Sequence, residues 1–123
     1  MSFKTNQTHV IFSGDTAPIL ALDEFAKGAG LLIHEAMLES ALVALMARIG
    51  NSTDKLMAHW LRSHSFAHNA AKTATKASVK RLALSHLIPS EDPAYGLKDW
   101  QDAVADQWDG PLFVGYDGIR IDL

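Results

Sequence analysis

Cysteine is absent from the 123 residues, which excludes a disulfide-stapled scaffold and any thiolate metal site. Positive charge is scarce: 11 Lys and Arg stand against 14 Asp and Glu, a formal net charge of -3. No basic run could carry nucleic-acid binding by phosphate neutralisation alone. Long apolar runs are missing as well. The strongest, Ala41 to Ile49, is interrupted by Arg48 and falls well short of the roughly 18 residues a membrane span needs. Met1-Ser2-Phe3-Lys4-Thr5-Asn6 lacks the apolar centre of a secretion signal, so a cytoplasmic protein is expected. What is present is a hydrophobic content of 48%, enough for a single domain over 1–123 with a real core, but small for a complete α/β hydrolase.

The order of elements is that of an α/β protein. Val10-Ile11-Phe12 reads as a short strand ending at Gly14, and beyond Pro18 the spacing of Leu22, Phe25, Ala26 and Ala29 is helical. Gly28 and Gly30 stop that helix before a second strand, Leu31 to His34. Leu38, Ala41, Leu42, Leu45 and Ile49 form an amphipathic stripe, after which Ser52 or Thr53 can cap a short helix through Leu61. A hydroxyl in Ser63-His64-Ser65 can cap a further helix whose inner face, Ala67, Ala70, Ala71, Ala74 and Ala77, is made only of small side chains and can lie close to a sheet. Its partner strand is Arg81 to Ser85, followed by a Pro89–Pro93 loop long and polar enough to rim a site. Leu97, Trp100, Val104 and Trp108 mark a last helix, with both tryptophans as core packing. Leu112-Phe113-Val114 and Ile119-Arg120-Ile121 flank Asp117-Gly118, the signature of a C-terminal β-hairpin.

Acids and histidines gather where these strands run out: Asp15 in Ser13-Gly14-Asp15-Thr16, His34-Glu35 after Leu31-Leu32-Ile33, and His86 after Leu82-Ala83-Leu84-Ser85. Open α/β sheets build their sites at strand C-termini. Each residue also has a plainer explanation. Asp15 and Thr16 could cap the helix beyond Pro18, His86 could be a hydrogen-bonded core histidine, and His64 could merely begin a helix. Glu35 resists such a reading, because an acid following a buried apolar strand must find a partner or protonate. His9, His59 and His68 read as surface or helix-face residues, and Trp60 carries no role. A nucleotide binder is disfavoured, since Gly14-Asp15-Thr16 matches neither a Gly-x-Gly-x-x-Gly turn nor a phosphate loop.

Four motifs in register then point to one superfamily: Ser13-Gly14-Asp15-Thr16, Leu32-Ile33-His34-Glu35-Ala36, Ser63-His64-Ser65 and Leu84-Ser85-His86-Leu87. From about Val10 to Leu123 the chain resembles the C-terminal half of a metallo-β-lactamase-fold hydrolase, and more narrowly the ribonuclease Z and arylsulfatase-like branch. The resemblance implies half of an αββα sandwich, a mixed β-sheet with helices on one face. It implies that Asp15 and His86 are metal ligands, Asp15 bridging two zinc ions, and that Glu35 and His64 form a pair that orients the scissile phosphate and protonates the leaving group. Met37 stands where that branch has threonine, and Ser65-Phe66 depart from its Ser-Thr. The His-x-His-x-Asp-His motif of the superfamily's other half does not occur between Met1 and Leu123. The expectation is therefore part of a dinuclear zinc-type hydrolase of phosphodiesters or other esters, RNA or a small ester being its substrate, inactive as an isolated chain. Its partner would be the missing N-terminal half or a second copy of the chain, a homo-oligomer in the latter case. The competing expectation is a non-catalytic module that dimerises through its uncovered sheet face.

Overall fold

A computed structural model describes residues 1–4, 8–50, 53–90 and 92–123. The cap expected at Ser52 or Thr53 lies outside the described residues, Thr53 through its side chain, as does Glu91 of the rim loop. The elements run β1 (Ser2–Lys4), β2 (His9–Phe12), α1 (Leu20–Phe25), β3 (Leu31–Met37), α2 (Glu39–Ile49), α3 (Thr53–Ser63), α4 (Ala67–Lys76), β4 (Leu82–Ile88), α5 (Leu97–Val104) and β5 (Leu112–Val114). The five strands make one mixed sheet in the order β1-β2-β3-β4-β5. β1 is antiparallel to β2, and the remaining pairings are parallel.

Register assigns the two faces. Ile11 lies opposite Leu32, Leu32 opposite Leu82, and Leu84 opposite His34 and Val114, so these side chains share one face. That face is covered. Leu22 and Ala26 of α1, Ala67, Ala70, Ala71 and Ala74 of α4, and Trp100 and Val104 of α5 pack with Ile11, Leu32, Leu82 and Leu84 in one core. Helices on one side of a mixed sheet agree with the sequence expectation, and the alanine face of α4 is what lets its backbone approach the strands. The opposite face carries Phe3, Val10, Phe12, Ile33 and Phe113. Phe3 is 57% exposed, and its ring meets that of Phe12 edge-on at 5.8 Å. A smaller apolar cluster of Met37, Leu42 and Phe66, with Met57, Trp60 and Ile88 against it, joins α2 and α3 to the far ends of β3 and β4.

Several sequence expectations change. The C-terminal hairpin does not form: Ile119 donates its N–H to Tyr116 and the chain turns there, but 119–121 is not a strand. β5 instead finishes the sheet by pairing in parallel with β4, its apolar Leu112 and Val114 facing the helices. β1, unmarked in the sequence by any apolar run, is held by pairing with β2 and by the Phe3–Phe12 contact, with the terminal ammonium donating to the Phe12 carbonyl at 2.9 Å. Ser63 ends α3 rather than capping α4, whose N-cap is Phe66 with no side-chain cap bond. Likewise the N-cap of α1 is Ile19, so neither Asp15 nor Thr16 serves it. Trp108 falls beyond α5 yet still packs against the core, and its indole donates to the Pro111 carbonyl at 3.1 Å. Among the described residues no helix is long and apolar enough to cross a membrane.

Candidate functional site

Three segments meet over the C-terminal end of the parallel strands. The first leaves β2: Ser13 extends the ladder by donating its N–H to the Ile33 carbonyl at 2.9 Å, and Gly14, at φ 63°, turns the chain left-handed so that Asp15 follows in the open. The second links α3 to α4 and presents His64 and Ser65. The third is β4 itself. His86 does not lie past a strand end as the sequence suggests, but inside β4, where the β3–β4 register shifts between Glu35 and Ala36. Glu35 pairs with Ser85 and Ala36 with Leu87, leaving His86 as the extra residue of a bulge at φ 44°. A left-handed non-glycine residue is strained, and the strain here re-aims one imidazole at the Asp15 turn.

Glu35 sits beneath these segments and ties them together. It is almost wholly buried, and its Oε1 accepts the Ser65 N–H at 2.9 Å and the Thr16 N–H at 3.1 Å. Its Oε2 faces His64 Nδ1 at 3.3 Å, and its own N–H donates to Ser13 Oγ at 3.1 Å. Burial pushes the carboxyl above its usual range, against the opposing pull of the Thr16 and Ser65 N–H groups and of His64. A buried acid serving two chain segments is a positioning hub as much as a proton carrier. Ser65 closes the clasp from the other side by donating its hydroxyl to the Thr16 carbonyl at 2.6 Å. The sequence offers Thr16 and the Ser63-His64-Ser65 hydroxyls only as helix caps and gives Ser13 no separate role; the hydrogen bonds that Ser13, Thr16 and Ser65 make here come from tertiary structure.

Asp15 Oδ1 and His86 Nδ1 are 2.8 Å apart, with both side chains more than half exposed. The His64 and His86 rings lie 5.8 Å apart at 55°. Asp15, His64 and His86 each offer a ligand atom, all within 4.8 Å of one another, and among the described residues they are the group able to hold a metal ion. One carboxylate and two imidazoles suit a first-row divalent cation, so the donor set fits. All four residues singled out from the sequence, Asp15, Glu35, His64 and His86, thus come together. His34, adjacent to Glu35, does not. Strand alternation sends it to the helix face, where it is 1% exposed and its Nδ1 meets the Glu35 carbonyl at 2.7 Å. Burial lowers its pKa, opposed by that carbonyl and by the Asp23 charge. Met37, in place of threonine, fills the small apolar cluster. Next to His86, a cleft of about 640 Å³ is bounded by Leu87, Pro89, Asp92 and Pro93, where a rim was expected.

No family model matches the chain. A ribonuclease Z from Mycolicibacterium gilvum is 35% identical over 115 residues, 93% of this chain and 37% of that protein. A ribonuclease Z from Brevibacillus brevis is 39% identical over 93 residues, 73% of this chain and 25% of its own. A putative ribonuclease Z from Mycobacterium tuberculosis is 29% identical over 115 residues, covering 93% and 47%. The chain therefore spans less than half the length of the curated relatives it matches. Among solved structures, the metallo-β-lactamase fold protein YhfI from Bacillus subtilis superposes with a TM-score of 0.68 at 18% identity, over 97% of this chain and 42% of that one. A diphosphatase from the PhnP family gives 0.53 at 14% identity, over 99% and 37%.

Proposed function

We propose, from the premise that this chain resembles the C-terminal half of a ribonuclease Z-like hydrolase of metallo-β-lactamase fold, that it supplies part of a metal-dependent active site for phosphodiester or other ester hydrolysis. The observation that carries this reading is the convergence of Asp15, His64 and His86 over the buried Glu35. Asp15 and His86 are the residues that would hold metal, zinc being the ion their chemistry suits. The ion, when bound, would act as a Lewis acid toward the scissile group and lower the pKa of water.

The chain's own residues supply the proton handling. Glu35 Oε2 faces His64 Nδ1, which fixes the ring and leaves Nε2 as the nitrogen that gives a proton to the leaving-group oxygen. Ser65 and Thr16 hold the carboxylate through its other oxygen, so it cannot turn away from His64. With two assigned ligands, the isolated chain lacks the donors for a metal pair, and hydrolysis requires further histidines. A histidine-bearing N-terminal half or a second copy of this chain would supply the covering surface, and the exposed Phe3 edge of the sheet supports that reading.

A chimera tests the function. Replacing the matching 115-residue segment of the M. gilvum ribonuclease Z by this chain is expected to give an enzyme that hydrolyses bis(p-nitrophenyl) phosphate. Asp15→Ala and His86→Ala should abolish turnover, and His64→Ala should lower kcat by about 10²- to 10⁴-fold, the usual size of a general-acid contribution. A folded, metal-loaded chimera without turnover would remove the catalytic reading and leave the interaction-module alternative.

A further inference from the structure

We propose that the isolated chain binds a single divalent transition-metal ion through Asp15, His86 and His64, with His64 as the third ligand and Glu35 as the group that orients it. The inference rests on the reading of Asp15 and His86 as ligands and changes the role of His64. In a complete site with further histidines, His64 is free to move protons. In this chain alone it is the only described residue that can join the other two.

The geometry carries it in three steps. A catalytic-type mononuclear site needs about three protein ligands and an open position. Ligands of a tetrahedral ion at about 2.0 Å stand roughly 3.3 Å apart, and here the three ligand atoms already fall within 4.8 Å of one another. The remaining adjustment falls on the side chains free to make it, since those of Asp15 and His86 are 60% and 55% exposed. His64, at 17%, is the fixed member. Its Nδ1 is taken by Glu35 Oε2, so the nitrogen offered to a cation is Nε2. A carboxylate behind a ligating imidazole sets its tautomer and orientation, and losing such a partner commonly weakens metal binding by about 10- to 100-fold. Asp15 and His86 now hold each other at 2.8 Å, and a cation between them would replace that contact with a bond to each.

The test is titration of the purified 123-residue chain with Zn²⁺, followed by calorimetry and by ¹⁵N spectra of the imidazoles. One Zn²⁺ per chain is expected, with the ring-nitrogen resonances of His64 and His86 shifting together while those of His59 and His68 stay put. Asp15→Ala, His86→Ala and His64→Ala should each weaken binding at least about tenfold, and Glu35→Gln by about 10- to 100-fold. The spectra of the unsubstituted protein keep the test decisive even where a variant fails to fold. If Zn²⁺ shifts His86 and is lost in Asp15→Ala while His64 and its alanine variant are unaffected, the inference is overturned and the proton-handling role of His64 survives. If Zn²⁺ is not bound at all, both the inference and the two-ligand reading fall for the isolated chain.

Discussion

Glu35 and His34 are neighbours with opposite fates, and the difference comes from one peptide bond of strand alternation. Glu35 points among the loops and acquires N–H donors from two of them, which oppose but do not cancel the upward push of burial on its pKa. His34 points into the helix-covered core, where burial dominates and only the Glu35 carbonyl and the Asp23 charge, itself 3.9 Å from Lys76, favour its protonated form. Because its folded pKa lies below the ordinary 6.5, the unfolded chain takes up this proton first as pH falls. The stability that neutral His34 contributes is complete above about pH 6.5 and declines as pH drops through the window between that value and the lowered one. His34→Gln should flatten this limb, read from urea unfolding free energies at a series of pH values from 7 to 5; parallel curves for the two proteins would contradict it. The four residues of the candidate site were legible in the sequence because each stands in a short motif, Asp15, Glu35 and His86 in or just beyond an apolar strand and His64 just after α3. The clasp was not. The partner of a backbone N–H such as that of Thr16 or Ser65 depends on which segments meet, and no spacing along the chain encodes that.

At the level of elements, periodicity located β2 to β5 and the helices but not β1, while their ends followed packing. β3 and β4 continue to Met37 and Ile88 because these side chains join Leu42 and Phe66 in a second apolar cluster, and the bulge at His86 is what accommodates the site within a continuous strand. The hairpin expected from Asp117-Gly118 failed for a related reason. Gly115, whose N–H donates to the Leu84 carbonyl at 2.8 Å, keeps the chain on β4, and the turn that follows leads away without a partner strand. The alanine face of α4 was correctly read as permitting close approach. Ala70, Ala71 and Ala74 have no exposed surface at the heart of the core. Ala70→Leu must insert three heavy atoms where none fit, and should lower the unfolding free energy by about 1–3 kcal/mol in urea titrations. A leucine at Lys72, on the exposed side of the helix, should be near neutral. Equal effects at the two positions would mean the helix does not pack as described.

The molecule as a whole is one-sided. Helices α1, α4 and α5, with Ala41 of α2, share their core with one face of the sheet, whereas Phe3, Val10, Phe12, Ile33 and Phe113 lie on the other. Apolar surface of this kind is where a second layer normally packs. Full-length relatives have more than half their residues outside the matched region, which can provide such a layer. For the isolated chain we propose a second copy as the occupant, since a two-fold axis would set this apolar face against itself. Phe3 is the informative position. It stands on an edge strand, is 57% exposed and makes no core contact with the helices, so changing it tests association without emptying the interior. Light scattering is expected to show a concentration-dependent dimer. Burying one phenylalanine is worth about 1.5–3 kcal/mol, so Phe3→Asp should move the monomer–dimer midpoint to at least about tenfold higher concentration. A stable, monodisperse monomer over the whole concentration range would instead show that this face tolerates water.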